Sequence, residues 1–272
     1  MNRAVRVAAI QLSPSDVPAD NLAKARTWIA QAAQAGAQFA ALPEAFVYRG
    51  RSDAKHLFAT EIPGPVSDEL GAIAQEYGVW LLGGSVFERV SGQDKVFNTS
   101  LVFADDGQIK AKYRKIHLFE IHNEQGKELS EADYQAYGSE IVAVETPWFK
   151  LGLSICFDLR FPELYRQLAL QGAQVMAVPS AFLLKTGRDH WEVLLRARAI
   201  ETQSYIIAPN CLGASVTGVE GYGRSMIIDP WGQIMAQASD REGLILADLD
   251  FDYLDKVRKR VPTLSNCRLS GF

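Results

Sequence analysis

Short apolar runs of strand character alternate with segments of helical spacing along almost the whole of this 272-residue chain, which restricts it to the α/β class. Residues 5–12 read as a strand. Residues 21–35 read as a helix closed by Gly36, a residue suited to the position just past a helix end. A short apolar strand at 39–42 stops at Pro43, and residues 66–77 form a second helical pattern closed by Gly78. Residues 79–87 read as one strand. Runs at 97–103 and 109–113 flank Asp105-Asp106-Gly107, which predicts a hairpin. Residues 149–156 are strand-like, and 162–171 are helical with Pro162 at the start. Residues 175–179, 190–204 and 205–209 give strand, helix, strand, and runs at 226–229 and 234–238 flank a turn at Pro230-Trp231-Gly232. Hairpins among the strand–helix alternation predict mixed sheets. Residues 120–138 are the least regular and most polar stretch, the kind of segment that in a compact domain is functional or mobile.

Composition narrows what such a chain does. With 48% hydrophobic residues it can bury a large core, and no repeat or linker divides it, so residues 1–272 are expected to form one domain. A net charge of −4 without basic clusters argues against a nucleic-acid surface, and no stretch is apolar enough to span a bilayer. The N-terminus lacks a signal-peptide pattern, which predicts a cytoplasmic protein. Three widely spaced cysteines, Cys156, Cys211 and Cys267, fit neither a disulfide framework nor a zinc site, so each is expected to be a free thiol.

Three strand-like runs end in reactive groups: Glu44 after Leu42-Pro43, Lys115 after Tyr113-Arg114, and Cys156 after Ser154-Ile155. Ligands of α/β sheets bind beyond the carboxyl ends of the strands, so the three are candidates for one pocket. Their chemistry is complementary. A thiol needs a lowered pKa or a base beside it to attack a carbonyl. A carboxylate can take that proton and return it to a leaving amine, and a lysine cation stabilises the oxyanion. The N–H of Phe157 is a candidate second oxyanion donor. The reaction class is acyl transfer through a thioester, and it needs no metal or organic cofactor. Cys211 and Cys267 lack such a setting and are expected to be structural. His117 and His190 leave open a Cys–His dyad, with His190 more simply a packing or capping residue at a helix start.

The segments Leu42-Pro43-Glu44-Ala45-Phe46, residues 113–119 and residues 155–163 resemble the Glu, Lys and Cys signatures of the nitrilase superfamily of carbon–nitrogen hydrolases, in the same order and over residues 5–261. The resemblance implies a four-layer α-β-β-α sandwich that associates through its outer helices into a homodimer or larger homo-oligomer. It implies Glu44 as general base and acid, Lys115 as oxyanion stabiliser and Cys156 as nucleophile. It also implies a second glutamate between the Lys and Cys motifs, for which Glu124, Glu128 and Glu131 are present. Alignment back from Cys156 through Gly138 favours Glu131, although Ala132 follows it where the family has serine. Residues 179–182, 195–201 and 222–232 are similar to the Nit branch, whose members hydrolyse small amides of α-keto acids. For such a substrate Arg160 is the expected carboxylate partner, against a plain salt bridge to Glu163, and Phe182 and Thr186 would line the same end of the pocket. Two substrate groups follow: deaminated glutathione, which the 195–201 and 222–232 segments favour, and the ω-amides 2-oxoglutaramate and 2-oxosuccinamate. A nitrilase or acyltransferase activity on the same trio, and a catalytically silent scaffold, are the alternatives.

Overall fold

The computed structural model describes residues 4–123 and 126–268. Strand β1 (Ala4–Gln11) leads into helix α1 (Pro18–Gln34), which begins three residues before the sequence pattern because Pro18 occupies its first turn. Strand β2 (Phe39–Ala41) follows, then a 3-10 turn (Ser52–Phe58) and helix α2 (Pro65–Tyr77), closed by Gly78 at φ +61°. The single strand expected over 79–87 is two, β3 (Trp80–Leu82) and β4 (Val86–Glu88). Gly84 breaks it at φ +59°, where a Cβ would stand 2.1 Å from the Pro43 carbonyl oxygen. Strands β5 (Phe97–Phe103) and β6 (Ile109–Arg114) form the expected hairpin, with Gly107 at φ +81° in the turn.

The irregular segment expected at 120–138 contains a second small hairpin, β7 (Glu120–Asn123) and β8 (Gly126–Ser130), and a 3-10 turn at Glu131–Asp133. Beyond it lie β9 (Ala143–Glu145) and β10 (Lys150–Leu153). The strand expected to reach Cys156 stops at Leu153, and a 3-10 turn (Cys156–Arg160) takes over before helix α3 (Pro162–Leu170). Strand β11 (Val175–Ala177) precedes helix α4 (Leu184–Thr202), which starts six residues earlier than the pattern indicated, because the apolar positions of its first turns are few. Strands β12 (Tyr205–Ala208), β13 (Leu212–Ala214), β14 (Glu220–Tyr222), β15 (Met226–Ile228), β16 (Ile234–Gln237) and β17 (Gly243–Asp250) complete the sheets, and helix α5 (Phe251–Arg260) is the last element among the described residues. Asp250 caps α5 by accepting from the Asp252 and Tyr253 N–H groups.

The strands assemble into two large mixed sheets. One runs β17-β1-β2-β3-β5-β4, with β6 also on β5; the other runs β16-β15-β12-β11-β10-β9. Strand β1 explains the layering. Val5, Val7 and Ala9 pack into a core shared with Leu151, Leu153 and Val175 of the second sheet. Ala8 and Ile10 point the other way, onto Leu22, Ala25 and Ile29 of α1 and Leu70 and Ile73 of α2. Because successive strand residues alternate faces, a strand buried on both sides carries apolar residues at successive positions, as β1 does from Val7 to Ile10, while Arg6 near its start is exposed and pairs with Asp248. Helices α3 and α4 cover the second sheet, so the order is helix, sheet, sheet, helix. No helix among the described residues is long and apolar enough to cross a membrane.

Candidate active site

The carboxyl ends of both sheets meet at one cavity of about 160 Å³. Glu44 lies three residues past β2, on a turn in which Ala45 adopts φ +48°. That turn rests on the Gly83-Gly84-Ser85 break, and Ser85 Oγ accepts the Ala45 N–H at 3.0 Å. Lys115 directly follows β6. Its main chain is fixed on both sides, its N–H donating to Asn98 O and its carbonyl accepting from Gly138 N, each at 2.8 Å. Cys156 opens the 3-10 turn at φ +46°, and its N–H donates to Pro179 O at 3.0 Å. Non-glycine residues at positive φ are uncommon and concentrate where the fold has fixed a side chain's direction.

Lys115, 1% exposed, joins two carboxylates. Its Nζ donates to Glu44 Oε1 and to Glu131 Oε2, both at 2.8 Å. Glu131 Oε2 also accepts the Phe119 N–H at 2.7 Å. Glu44 Oε1 accepts from Asn98 Nδ2 at 2.9 Å, Oε2 accepts the Ala181 N–H at 2.9 Å, and the Cys156 thiol donates toward the same carboxyl group. Glu131 is brought to Lys115, and the side chain of Glu128 lies outside what the structure describes. Glu124 lies outside the described residues.

The electrostatics follow from this chain of contacts. Burial pushes the Glu44 carboxyl up, but the Lys115 cation, the thiol and the Ala181 N–H outweigh it, and the net displacement is downward. Burial pulls Lys115 down, and Glu131 and Glu44 more than reverse it, so its ammonium persists well above the usual lysine range. Burial raises the Cys156 thiol well above 9.0, and the facing Glu44 charge adds to this. The resting arrangement is a neutral thiol beside a carboxylate and an ammonium. Of the two ways to activate a thiol, a depressed pKa or an adjacent base, the geometry offers the second.

Around this group, Arg160 sits on the cavity wall with its guanidinium 4.7 Å from the Phe182 ring centre and 5.3 Å from that of Phe157. It donates to His190 Nδ1 at 3.3 Å, and among the described residues no carboxylate pairs with it, Glu163 included. Burial lowers it from the usual arginine value without removing its charge. Phe182 is wedged against Trp191, and Thr186, in the first turn of α4, also lines the cavity. The Phe157 N–H donates to no protein group among the described residues. His190 is not a helix-start residue, since α4 begins at Leu184. His117 does not line the cavity: its Nδ1 contacts Asp158 Oδ1 at 2.7 Å and its ring stacks on Phe161. Cys211 is buried with its thiol raised to about 12, and Cys267 is exposed.

Two contributors were given no role of their own from the sequence, where Asp158 counted only as a polar neighbour of Cys156. Asn98 fixes Glu44 from β5, where it is the first of three consecutive polar residues, Asn98-Thr99-Ser100, in a buried strand. Asp158, completely buried, accepts from Tyr113 Oη at 2.7 Å, His117 N at 3.0 Å and Ile155 N at 2.8 Å. It thereby ties the strand end that carries Lys115 to the turn that carries Cys156.

The carbon-nitrogen hydrolase family model matches residues 6–259. The chain is 38% identical to omega-amidase NIT2 of Xenopus tropicalis over 257 residues, which is 94% of this chain and 92% of that protein. It is 40% identical to the deaminated glutathione amidase of Synechocystis sp. over 262 residues, 95% of this chain and 96% of that protein. Its fold superposes on the crystal structure of the C. elegans NitFhit protein with a TM-score of 0.91 at 34% identity, covering 97% of this chain and 65% of that one. The chain belongs to the carbon–nitrogen hydrolase family of the nitrilase superfamily and has its α/β sandwich fold.

Proposed function

We propose that this protein hydrolyses the amide of a small α-keto acid, with Cys156 as nucleophile, Glu44 as general base and acid, Lys115 as oxyanion donor and Glu131 as the residue that orients Lys115. The observation that carries this reading is the buried Glu44–Lys115–Glu131 chain facing the Cys156 thiol, with Arg160 left without a carboxylate partner on the same wall. In the first half-reaction the Cys156 proton passes to Glu44 as sulfur bonds to the amide carbon. The negative oxygen of the tetrahedral adduct is met by Lys115 Nζ and the Phe157 N–H. Collapse breaks the C–N bond, and Glu44 returns the proton to the leaving amine. Water then gives a proton to Glu44 and attacks the thioester, and the thiolate leaves and takes that proton back. Because the resting thiol is neutral, Glu44 takes its proton in the course of the reaction rather than leaving a thiolate at rest.

Arg160 is assigned to the keto-acid carboxylate, which a planar guanidinium holds through two parallel hydrogen bonds, while Phe182 and Thr186 shape that end of the cavity. Deaminated glutathione is the substrate assigned first. The ω-amides are the second reading, favoured by the near-equal similarity to relatives named for each activity. The reading treats the chain as one catalytic domain acting in the cytoplasm, in keeping with its free thiols. It also treats the protein as a homo-oligomer joined through its outer helices, where Leu170, Val193 and Ile200 are exposed.

The test is release of 2-oxoglutarate from deaminated glutathione and from 2-oxoglutaramate by the wild type, Cys156→Ala and Arg160→Ala. Cys156→Ala is expected to be inactive, and Arg160→Ala to lose about 10- to 100-fold in kcat/KM, chiefly through KM. Residual turnover by Cys156→Ala at the wild-type rate would remove the nucleophile assignment. Faster turnover of 2-oxoglutaramate would move the substrate to the ω-amides, and unchanged kcat/KM in Arg160→Ala would remove the keto-acid clamp.

A further inference from the structure

The cavity wall carries a second cation. Lys55, in the 3-10 turn Ser52–Phe58, directs its Nζ to Tyr134 Oη at 2.9 Å, with the Phe87 and Tyr134 ring centres 5.2 Å and 4.5 Å away. Among the described residues no carboxylate pairs with Lys55, and it lines the same cavity as Cys156. An ammonium has three N–H donors, and the Tyr134 hydroxyl uses one. The remaining donors belong to a cation held on an aromatic seat.

Next to it stands a buried amide without partners. Gln135 is 1% exposed and lines the cavity, yet neither its Oε1 nor its Nε2 bonds to a protein group. Its main chain is fixed: its N–H donates to Glu131 O at 2.7 Å, and the flanking Tyr134 O and Ala136 N pair with Val96. A carboxamide buried without partners is unfavourable unless something else supplies an acceptor and a donor. A peptide group supplies both, since its C=O accepts and its N–H donates.

The two cations are seated on different aromatic pairs. Arg160 rests on Phe157 and Phe182, from segments that follow strands β10 and β11 of one sheet. Lys55 rests on Phe87 and Tyr134, from β4 of the other sheet and the turn that carries Glu131. An acyl group with its carboxylate on Arg160 and its carbonyl at Cys156 sends its leaving amine toward the remaining wall. From these placements we propose that Lys55 and Gln135 form a leaving-group subsite, in which Gln135 pairs with a peptide amide and Lys55 with a terminal carboxylate. This rests on the keto-acid amidase reading and deepens it. The subsite fits an amine that is a short peptide, such as the Cys-Gly of deaminated glutathione, and gives nothing to the ammonia released from an ω-amide.

The two substrates share the 2-oxoglutaryl group and differ in the leaving amine, so their ratio isolates the subsite. The experiment measures kcat/KM for deaminated glutathione and for 2-oxoglutaramate in the wild type, Lys55→Met, Lys55→Arg and Gln135→Leu, with melting temperature as the check on folding. Lys55→Met is expected to lose about 10- to 100-fold on deaminated glutathione, mainly in KM, and at least about tenfold more than on 2-oxoglutaramate. Lys55→Arg should recover most of that loss. Gln135→Leu should shift the ratio in the same direction without lowering the melting temperature, because no protein hydrogen bond is removed. Equal losses on both substrates, or no loss on deaminated glutathione, overturn the subsite. If the folded wild type turns over neither substrate, the amidase reading fails separately. Calorimetric binding of the Cys-Gly dipeptide then decides the subsite: tighter binding by the wild type than by Lys55→Met supports it, and equal binding overturns it.

Discussion

Replacing Glu88 by glutamine tests how much a buried ion cluster contributes to this fold. Glu88 lies on the edge strand β4 with its side chain 3% exposed. It accepts from Thr99 Oγ1 at 2.7 Å, from Lys112 Nζ at 3.0 Å, and from Arg114 through Nε and Nη2, both at 2.8 Å. These partners lie on β5 and β6, so a single carboxylate binds three strands. Burial alone pushes this carboxyl up, but the hydrogen bonds from Arg114, Thr99 and Lys112 prevail and bring it from 4.5 to about 2. A folded-state value below the unfolded one means that folding favours the ionised form. The resulting stability is complete above about 4.5 and is lost as pH falls toward about 2. At 1.36 kcal/mol per pH unit, the displacement corresponds to about 3 kcal/mol at pH 7 and about 1.4 kcal/mol at pH 3. Glu88→Gln should therefore lower the unfolding free energy by about 3 kcal/mol at pH 7, or roughly 6–12 °C in melting temperature. The deficit should shrink by more than half at pH 3, where the wild type loses its own advantage. Urea denaturation at pH 7, 5, 4 and 3 measures this. A deficit that stays constant across the series, or one below about 1 kcal/mol at pH 7, would refute the claim that ionisation of Glu88 is what the cluster stabilises.

Lys115→Met leaves the buried Glu44 and the partly buried Glu131 carboxylates without their cation. It should cost about 3–5 kcal/mol by thermal denaturation and reduce kcat at least about 100-fold, and turnover within tenfold of wild type would show that Lys115 is not an oxyanion donor. The stability deficit of Lys115→Met should narrow as pH falls, because one of the two carboxylates then folds in its protonated form. Under native conditions iodoacetamide should label the exposed Cys267 and leave Cys211 untouched until unfolding, since burial raises that thiol to about 12. Peptide mass spectrometry reads this, and equal labelling of Cys211 and Cys267 would show that the core around Cys211 opens readily. Gly84→Ala puts a Cβ against the Pro43 carbonyl at a positive φ. It should lower the melting temperature and cut turnover together, because the same contact seats the Glu44 turn; unchanged kcat would show that Glu44 is positioned without it.

The parts of this protein legible in its sequence are those set by local rules. Apart from the exposed Arg6, residues 5–10 are apolar and buried between a helix layer and a sheet, so residues 5–12 read plainly as a strand. Gly36, Gly78 and Gly107 marked two helix ends and a hairpin, because the left-handed conformation is favourable for glycine wherever it occurs. The order of Glu44, Lys115 and Cys156, each just beyond an apolar run, pointed to a shared pocket. Other features depended on contacts between segments distant in the chain. Strand 79–87 breaks at Gly84 because the Pro43 carbonyl occupies the space of a Cβ. The hairpin of β7 and β8 within 120–138 is local, and it was missed because its polar residues carry no apolar alternation. Residues 243–260 gave no reading of their own, and become strand and helix because β17 pairs along the full length of β1. Sequence determined which side chains were chemically able to act. Tertiary structure decided that Glu131 meets Lys115, that Asp158 ties the two sheets together, and that Lys55 and Gln135 face the cavity. The physical reason is that spacing along the chain fixes which way a side chain points from its own element, whereas its partners are set by which elements pack against it.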